Sequence, residues 1–195
     1  RNPYLSLDDN GKNCHNDKFY TNPCNISFWK SKKNFLLIGD SYAGNYSNVY
    51  NKWLKKKNYS GEQYTVGGCD LISNVNKCQE FKSYLLKLLN SEKFETIIYS
   101  IQWKKNNDIL NHKNYMNNLK EIIQILQNSS TNLFIFSPRI ESAYSFQSFM
   151  LSPKLNLQMT ALDKSEHINN FSIIYNYFTS EKLDNNLKFI DTNKF

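Results

Sequence analysis

Short runs of aliphatic, aromatic and β-branched residues recur along this chain, and each has the length of a single strand. The clearest is Phe35-Leu36-Leu37-Ile38, which has no polar position and is typical of a strand covered on both faces of a parallel sheet. Gly39 ends this run, and Ser137-Pro138 ends a later one, as turn-forming residues do. The predicted strands are 35–38, 63–66, 96–101, 133–136 and 187–191.

Between these runs, apolar residues recur at steps of three and four positions, which predicts helices with one buried face. The predicted helices are 42–57, 79–89, 112–127 and 168–178. Strands that alternate with helices in this way imply right-handed crossovers and parallel strand pairing. We therefore predict an α/β fold, a three-layer α/β/α sandwich with a mainly parallel sheet.

In two stretches the apolar residues do not recur with a sustained period. Residues 1–31 are punctuated by Asn, Asp, Lys and Pro, and we interpret them as an irregular N-terminal arm packed on a domain that covers 32–195. Residues 141–160 are too apolar for a free linker, and we expect a packed loop there rather than a flap over a site.

Length and composition allow one substantial core. The chain has 195 residues, of which 40% are hydrophobic and 15% aromatic. Its formal charge is +7, but only Arg1 and Arg139 can make bidentate guanidinium contacts, which argues against a nucleic-acid partner. The lysine runs 30–33 and 55–57 are typical of solvated element ends, although attraction to an anionic glycan or membrane surface stays open.

The four cysteines fall as two local pairs in predicted loops, Cys14 with Cys24 and Cys69 with Cys78. More than one pairing is possible, and local disulfides are the simplest. An even number of cysteines in loops favours an oxidising compartment, periplasmic or extracellular. Neither pair has the spacing of a zinc site, so we expect no metal. No run of about eighteen apolar residues is present, so we expect no transmembrane segment in this chain.

The candidate chemistry begins at Gly39-Asp40-Ser41, where a buried strand turns into a helix. Ser41 would stand beside free backbone N–H groups that can hold an oxyanion, which suits a nucleophile. The alternative is that Asp40 or Ser41 only caps the helix. In a parallel sheet the loops at the carboxyl ends of the strands form one rim. This rule places Ser41, Gly67-Gly68, Gln102-Trp103 and Pro138-Arg139 together, and makes Trp103 and Arg139 candidate substrate contacts.

Gly39-Asp40-Ser41 resembles block I of the SGNH (GDSL) hydrolase family, whose fold is flavodoxin-like. The longer stretch 37–43 is similar to SGNH domains fused to membrane acyltransferase-3 domains, as are Gly67-Gly68-Cys69 and the tryptophan at a strand end, Trp103. That group usually carries histidine after the serine, where this chain has Tyr42.

The resemblance implies site roles. Ser41 would be the nucleophile and would donate its own N–H to the oxyanion, and Gly68 would donate a second N–H. The family's third donor is an asparagine in Gly-x-Asn-Asp. Here Gln102 stands in its place, with an amide that extends one methylene further.

The family's general base lies in a C-terminal Asp-x-x-His block, which this chain lacks. Asp163-Lys164-Ser165-Glu166-His167 has similar residue types with one residue more between them, so His167 is a candidate base or simply a residue at a helix start. His15 and His112 have less support. We expect the chain to stop before the family's block.

By resemblance, the expected function is serine-dependent O-acetyl transfer to a cell-surface carbohydrate such as lipopolysaccharide. A membrane acyltransferase domain of the same polypeptide would deliver the acetyl donor and tether the domain to the membrane, and no cofactor is expected. The alternatives are a secreted carbohydrate or acyl esterase and a non-catalytic carbohydrate-binding domain of the same fold.

Overall fold

A computed structural model describes residues 14–15, 24–27, 34–73, 76–139, 164–180 and 185–192. Within these ranges, six strands form one sheet in the order β1-β3-β2-β4-β5-β6. They are β1 (Cys24–Ser27), β2 (Asn34–Gly39), β3 (Ser60–Thr65), β4 (Phe94–Ser100), β5 (Ser130–Phe136) and β6 (Leu187–Ile190). Strands β2 to β6 are parallel to their neighbours, and β1 pairs antiparallel with β3. The predicted α/β fold with a mainly parallel sheet is confirmed.

The described helices lie on both faces of this sheet. They are α1 (Ser41–Gly44), α2 (Ser47–Lys57), α3 (Gln79–Ser91), α4 (Asn106–Asn111), α5 (Tyr115–Asn128), α6 (Lys164–Asn170) and α7 (Ser172–Ser180). A short 3-10 turn, Asn76–Cys78, precedes α3.

Successive side chains of β2 enter two separate cores, which explains its run of apolar residues. Leu36 and Ile38 are fully buried in the larger core with residues of α3, α5 and α7. Phe35 and Leu37 belong to the smaller core, where they meet Leu54 of α2. Because both faces are covered, no position in this strand is left for a polar side chain.

Two predicted helices are each divided in two. The segment 42–57 forms α1 and α2, and at the break the Ser47 hydroxyl donates to the Gly44 carbonyl at 2.7 Å. The segment 168–178 contains the end of α6 and most of α7, which are separated by a turn at Phe171. The Phe171 N–H is shared between the carbonyls of His167 and Ile168. Apolar periodicity continues across both breaks because the same face stays buried, so the pattern does not reveal them.

Two other elements were not predicted. Helix α4 is rich in asparagine and has little apolar period to reveal it. Strand β1 lies within the stretch 1–31 that the pattern predicts to be irregular, and it forms the sheet edge beside β3. The loop predicted at 141–160 lies outside the described residues.

Both local disulfides are formed, Cys14–Cys24 and Cys69–Cys78. The first disulfide joins Cys24, at the start of β1, to Cys14, which directly precedes His15. The second lies in the connection between β3 and α3. Two disulfides fit an extracytoplasmic domain. Among the described helices, none combines the length and apolar character that crossing a bilayer requires.

Candidate active site

The turn after β2 depends on the absence of a side chain at Gly39. This residue has φ of 147°, and a Cβ there would lie 1.7 Å from the carbonyl oxygen of Ser100 in the neighbouring strand β4. Any other residue would push β2 and β4 apart. The glycine therefore lets the chain turn sharply while the ends of the two central strands stay in contact.

Asp40 ties this turn to the loop that follows β4. One carboxylate oxygen caps α1 by accepting the Tyr42 N–H at 2.8 Å, and the other accepts the Gln102 N–H at 2.8 Å. The Asp40 side chain is only 4% exposed. The capping alternative is thus correct for Asp40, and Ser41 becomes the first helical residue.

Burial raises the pKa of the Asp40 carboxyl from an ordinary value of 3.8 to about 7. The hydrogen bond from the Gln102 N–H opposes this rise, and the nearby Asp70 carboxylate adds to it. The carboxyl therefore titrates near neutral pH while it joins two loops of the rim.

Ser41 lies at the rim of the sheet and is half-buried. Helix α1 is only four residues long, so its dipole contributes little and individual N–H groups must hold any oxyanion. Among the hydrogen bonds of the described residues, none uses the N–H group of Ser41 or of Gly68. The two groups that the resemblance selects as oxyanion donors are therefore uncommitted within that part of the chain.

Gly68 lies in a tight turn after β3, at the same rim. The Cys69 N–H donates to the Val66 carbonyl at 3.0 Å, and Gly68 takes a positive φ of 67°. This conformation suits glycine at the third position of a turn. The Val66 N–H donates to the Gly39 carbonyl at 3.0 Å, so the end of β3 is fastened beside the turn that carries Ser41.

A polar pocket of about 460 Å³, here called the rim pocket, opens between these loops. It is lined by Asp40, Gly68, Gln102, Trp103 and Lys104, among others. Gln102 is held by its backbone, and its side chain is exposed. The structure thus brings together the predicted second and third oxyanion residues next to the turn of Ser41.

Trp103 is 4% exposed and mainly structural. Its indole N–H donates to the Phe136 carbonyl at 2.8 Å, and its ring meets Tyr99 and Phe178 edge-on. The predicted substrate contact is therefore limited to the small part of the side chain that lines the rim pocket. Its larger role is to connect the loop after β4 with the end of β5.

Trp103→Phe is expected to lower the free energy of unfolding by about 2 kcal/mol, because the Phe136 carbonyl loses its donor in a buried setting. Chemical denaturation of both proteins measures this loss. Trp53→Phe is the control, since Trp53 is 37% exposed and the same atoms are removed. Equal losses in the two variants would contradict the assigned hydrogen bond.

Arg139 is exposed and places its guanidinium over the Tyr42 ring, 5.3 Å from the centroid. Tyr42 directly follows the candidate nucleophile. Arg139 thus lies on the same side of the rim as Ser41, and a role in contacting substrate stays a prediction.

His167, the candidate base, is 4% exposed and lies within α6 rather than at its start. Its Nε2 is 3.1 Å from the Pro138 carbonyl oxygen, and its ring packs against Phe171. Because a carbonyl only accepts, Nε2 must carry the proton, and only Nδ1 is left to act as a base. This contact favours a structural role, and the role of base stays a prediction.

The other two histidines also occupy defined positions. The Nδ1 of His15 is 3.2 Å from the Thr65 hydroxyl, and the ring packs where Gly44 and Gly67 lack a Cβ. His112 is exposed at the end of α4.

The link between Asp40 and Gln102 is the part of the site that sequence reasoning missed. The sequence marks Asp40 as a cap, but nothing in the local pattern indicates that its second oxygen reaches a residue 62 positions away. The adjacent strands β2 and β4 bring the two loops together.

The model of the family described as "SGNH domain (fused to AT3 domains)" matches residues 12–195 of this chain. No curated protein matches the chain significantly.

Proposed function

Because this chain belongs to the SGNH domain family that is fused to acyltransferase-3 domains, we propose that Ser41 transfers an acyl group, typically acetyl, to a hydroxyl of a cell-surface carbohydrate. One observation carries the proposal. The N–H groups of Ser41 and Gly68 are both unused among the described residues, and the loops that hold them are fastened together at one rim. Uncommitted donors of this kind are what a tetrahedral intermediate requires.

In the proposed reaction, the Ser41 hydroxyl attacks the carbonyl carbon of the acyl donor and loses its proton to a base. The carbonyl oxygen becomes the oxyanion and accepts the N–H groups of Ser41 and Gly68. When the intermediate collapses, the donor's leaving group departs with a proton and an acyl-serine remains. A sugar hydroxyl then attacks this ester and gives its proton to the base. The base passes this proton to the departing Ser41 oxygen, so that the acylated sugar and the Ser41 hydroxyl are released. His167 stays the candidate for this base through its Nδ1, and His15 and His112 have less support.

The proposed setting is the outer side of a membrane. Fusion to an acyltransferase-3 domain is consistent with a membrane partner on the same polypeptide. We propose that this partner delivers the acyl donor and that the domain works in the periplasm or outside the cell, where the two disulfides would form. Lipopolysaccharide is the proposed kind of acceptor.

A second candidate function is non-catalytic carbohydrate binding. It is favoured by the contacts of His15 and His167, whose ring nitrogens face Thr65 and Pro138. The glutamine at 102 instead of the family's asparagine points the same way. Hydrolysis of an ester by the same Ser41 chemistry differs from transfer only in using water as the acceptor.

The deciding experiment is detection of an acyl-enzyme. The chain is incubated with p-nitrophenyl acetate and with a fluorophosphonate probe, and the modified peptide is identified by mass spectrometry. Modification of Ser41 in the folded chain supports acyl transfer, provided that a chain unfolded before the incubation is not modified at Ser41. Glycan binding without any modification of Ser41 would instead support the non-catalytic alternative.

Gln102→Ala is expected to slow acylation of Ser41 about 100-fold if the amide is the third oxyanion donor. The rate of p-nitrophenol release in the first turnover measures it. Gln124→Ala is the control, because Gln124 is also exposed but lies on α5. An unchanged rate in the Gln102 variant would mean that the oxyanion is held by backbone donors alone.

A further inference from the structure

A second polar pocket adjoins the rim pocket. It has a volume of about 330 Å³ and includes Lys104, His112, Lys113, Asn114 and Asn118 in its lining. We call it the lysine pocket. Ser73 and Lys104 line both pockets, so the two are neighbouring parts of one polar cleft. A ligand in the rim pocket that extends past Lys104 would enter the lysine pocket.

The wall shared by the two pockets is held by hydrogen bonds. The Asp70 carboxylate accepts the Ile72 N–H at 2.8 Å and the Ser73 hydroxyl at 2.9 Å. The Asn118 amide donates to the Ile72 carbonyl at 3.1 Å, which fastens this loop to α5. The cleft is therefore organised before a ligand arrives, and less ordering free energy opposes binding.

The two pockets differ in charge. The rim pocket has the carboxylates of Asp40, Asp70 and Asp108 in its lining besides its lysines. The lysine pocket is lined by Lys104, Lys113 and His112, and no carboxylate belongs to its lining within the described part of the chain. The first turn of α5, which opens into it, also has no acidic residue. Electrostatics thus favours an anion in the lysine pocket and a neutral, hydroxyl-rich group in the rim pocket.

We propose that the lysine pocket binds an anionic group, carboxylate or phosphate, on the sugar unit next to the one that accepts the acyl group. This inference rests on the proposed function, because it takes the rim pocket as the place of the acceptor hydroxyl. Lys104 contacts both units, and Lys113 reaches only the anionic one. The acceptor is accordingly an acidic glycan of at least two units.

Titration calorimetry with matched ligands tests the proposal. Tetragalacturonate carries carboxylates, and its full methyl ester is the neutral counterpart of the same length. Glucose 6-phosphate and glucose make the same comparison for phosphate, so the two arms tell which anion is preferred. We expect at least one anionic ligand to bind about tenfold more tightly than its neutral counterpart at low salt. Equal affinities within both pairs would overturn the proposal.

Charge variants locate the site. Lys104→Gln with Lys113→Gln should weaken binding of the preferred anionic ligand about tenfold. Lys56→Gln with Lys57→Gln removes the same charge from the exposed end of α2, away from the cleft, and should change affinity less than about twofold. Equal losses in the two double variants would show that the attraction is a general effect of net charge and would overturn the assignment.

Failure of this inference is separable from failure of the proposed function. Binding is measured in Ser41→Ala as well, where acylation is impossible and affinity should be unchanged. If Ser41 forms an acyl-enzyme but anionic and neutral ligands bind alike, acyl transfer stands and the acidic acceptor is wrong. If anions bind in the cleft and Ser41 is never acylated, the anion site stands and the transfer reaction is wrong.

Discussion

Ser41→Ala is expected to abolish formation of the acyl-ester at position 41 and to lower turnover by about 10⁴-fold or more, as loss of a serine nucleophile does. The reason is chemical, because alanine has no hydroxyl that can attack the donor and form an ester at this position. Intact-mass spectrometry after incubation with p-nitrophenyl acetate measures the first effect, and a coupled assay of acetylated product measures the second.

The variant should fold normally. Among the described residues the Ser41 hydroxyl makes no hydrogen bond, so its loss should change the free energy of unfolding by less than about 0.5 kcal/mol. Ser83→Ala is the matched control, since Ser83 is an exposed serine on α3. Acylation of Ser41→Ala at the wild-type rate would show that the reactive serine lies elsewhere.

Stability should depend on the ionisation of Asp40 more than on that of an ordinary surface carboxylate. Because burial raises the pKa of this carboxyl to about 7 in the folded chain, the folded state binds its proton more tightly than the unfolded state does. The stabilisation from this proton is fully present below pH 3.8, the ordinary pKa, and is lost as the pH rises to about 7. The expected loss is up to about 4 kcal/mol.

The effect is measured by comparison with Asp40→Asn, which cannot titrate at this position. Free energies of unfolding of both proteins are determined by denaturation between pH 4 and 7.5. The free energy of unfolding of the wild type minus that of the variant should fall steadily over this interval. Titration of other groups changes both free energies in parallel and cancels in this difference. A constant difference would mean that Asp40 titrates at its ordinary pKa in the folded chain, and that the two N–H donors offset its burial.

Asp40 also connects stability with the site. In the ionised form, one carboxylate oxygen accepts the Tyr42 N–H and the other accepts the Gln102 N–H. Protonation makes one of these two oxygens a weaker acceptor. The arrangement of the loops after β2 and β4 is therefore best maintained above pH 7, although the contribution of Asp40 to the free energy of unfolding is larger below it.

How far the fold could be predicted depends on whether a feature is local. The strand 35–38 is visible in the sequence because burial on both faces excludes polar residues from consecutive positions. The strand 133–136 is also an apolar run, although Phe134 and Phe136 are only partly buried. The break between α1 and α2 is invisible, because Ala43, Tyr50 and Leu54 stay on one buried side across it. Helix α4 lacks such a period altogether.

The same distinction holds for the site. Gly39-Asp40-Ser41 indicates a nucleophile because a strand, a sharp turn and a helix start are encoded in adjacent residues. The position of Gly68 beside it follows from a general rule about carboxyl ends of parallel strands. His167 shows the limit of this reasoning, since residue type made it a candidate base, while its contact with Pro138 depends on how α6 packs.

The sequence by itself determined most of the succession of strands and helices and the candidate serine, because each depends on neighbouring residues or on a short period of burial. It made the two local disulfide pairs the simplest pairing, which the structure confirms. Only the tertiary structure decided that Asp40 accepts the N–H groups of both Tyr42 and Gln102, and that Trp103 is buried in the core. It also decided that Lys104 lines both pockets. The physical reason is that these contacts join residues far apart in the chain, and the strand order β3-β2-β4-β5 sets which loops become neighbours.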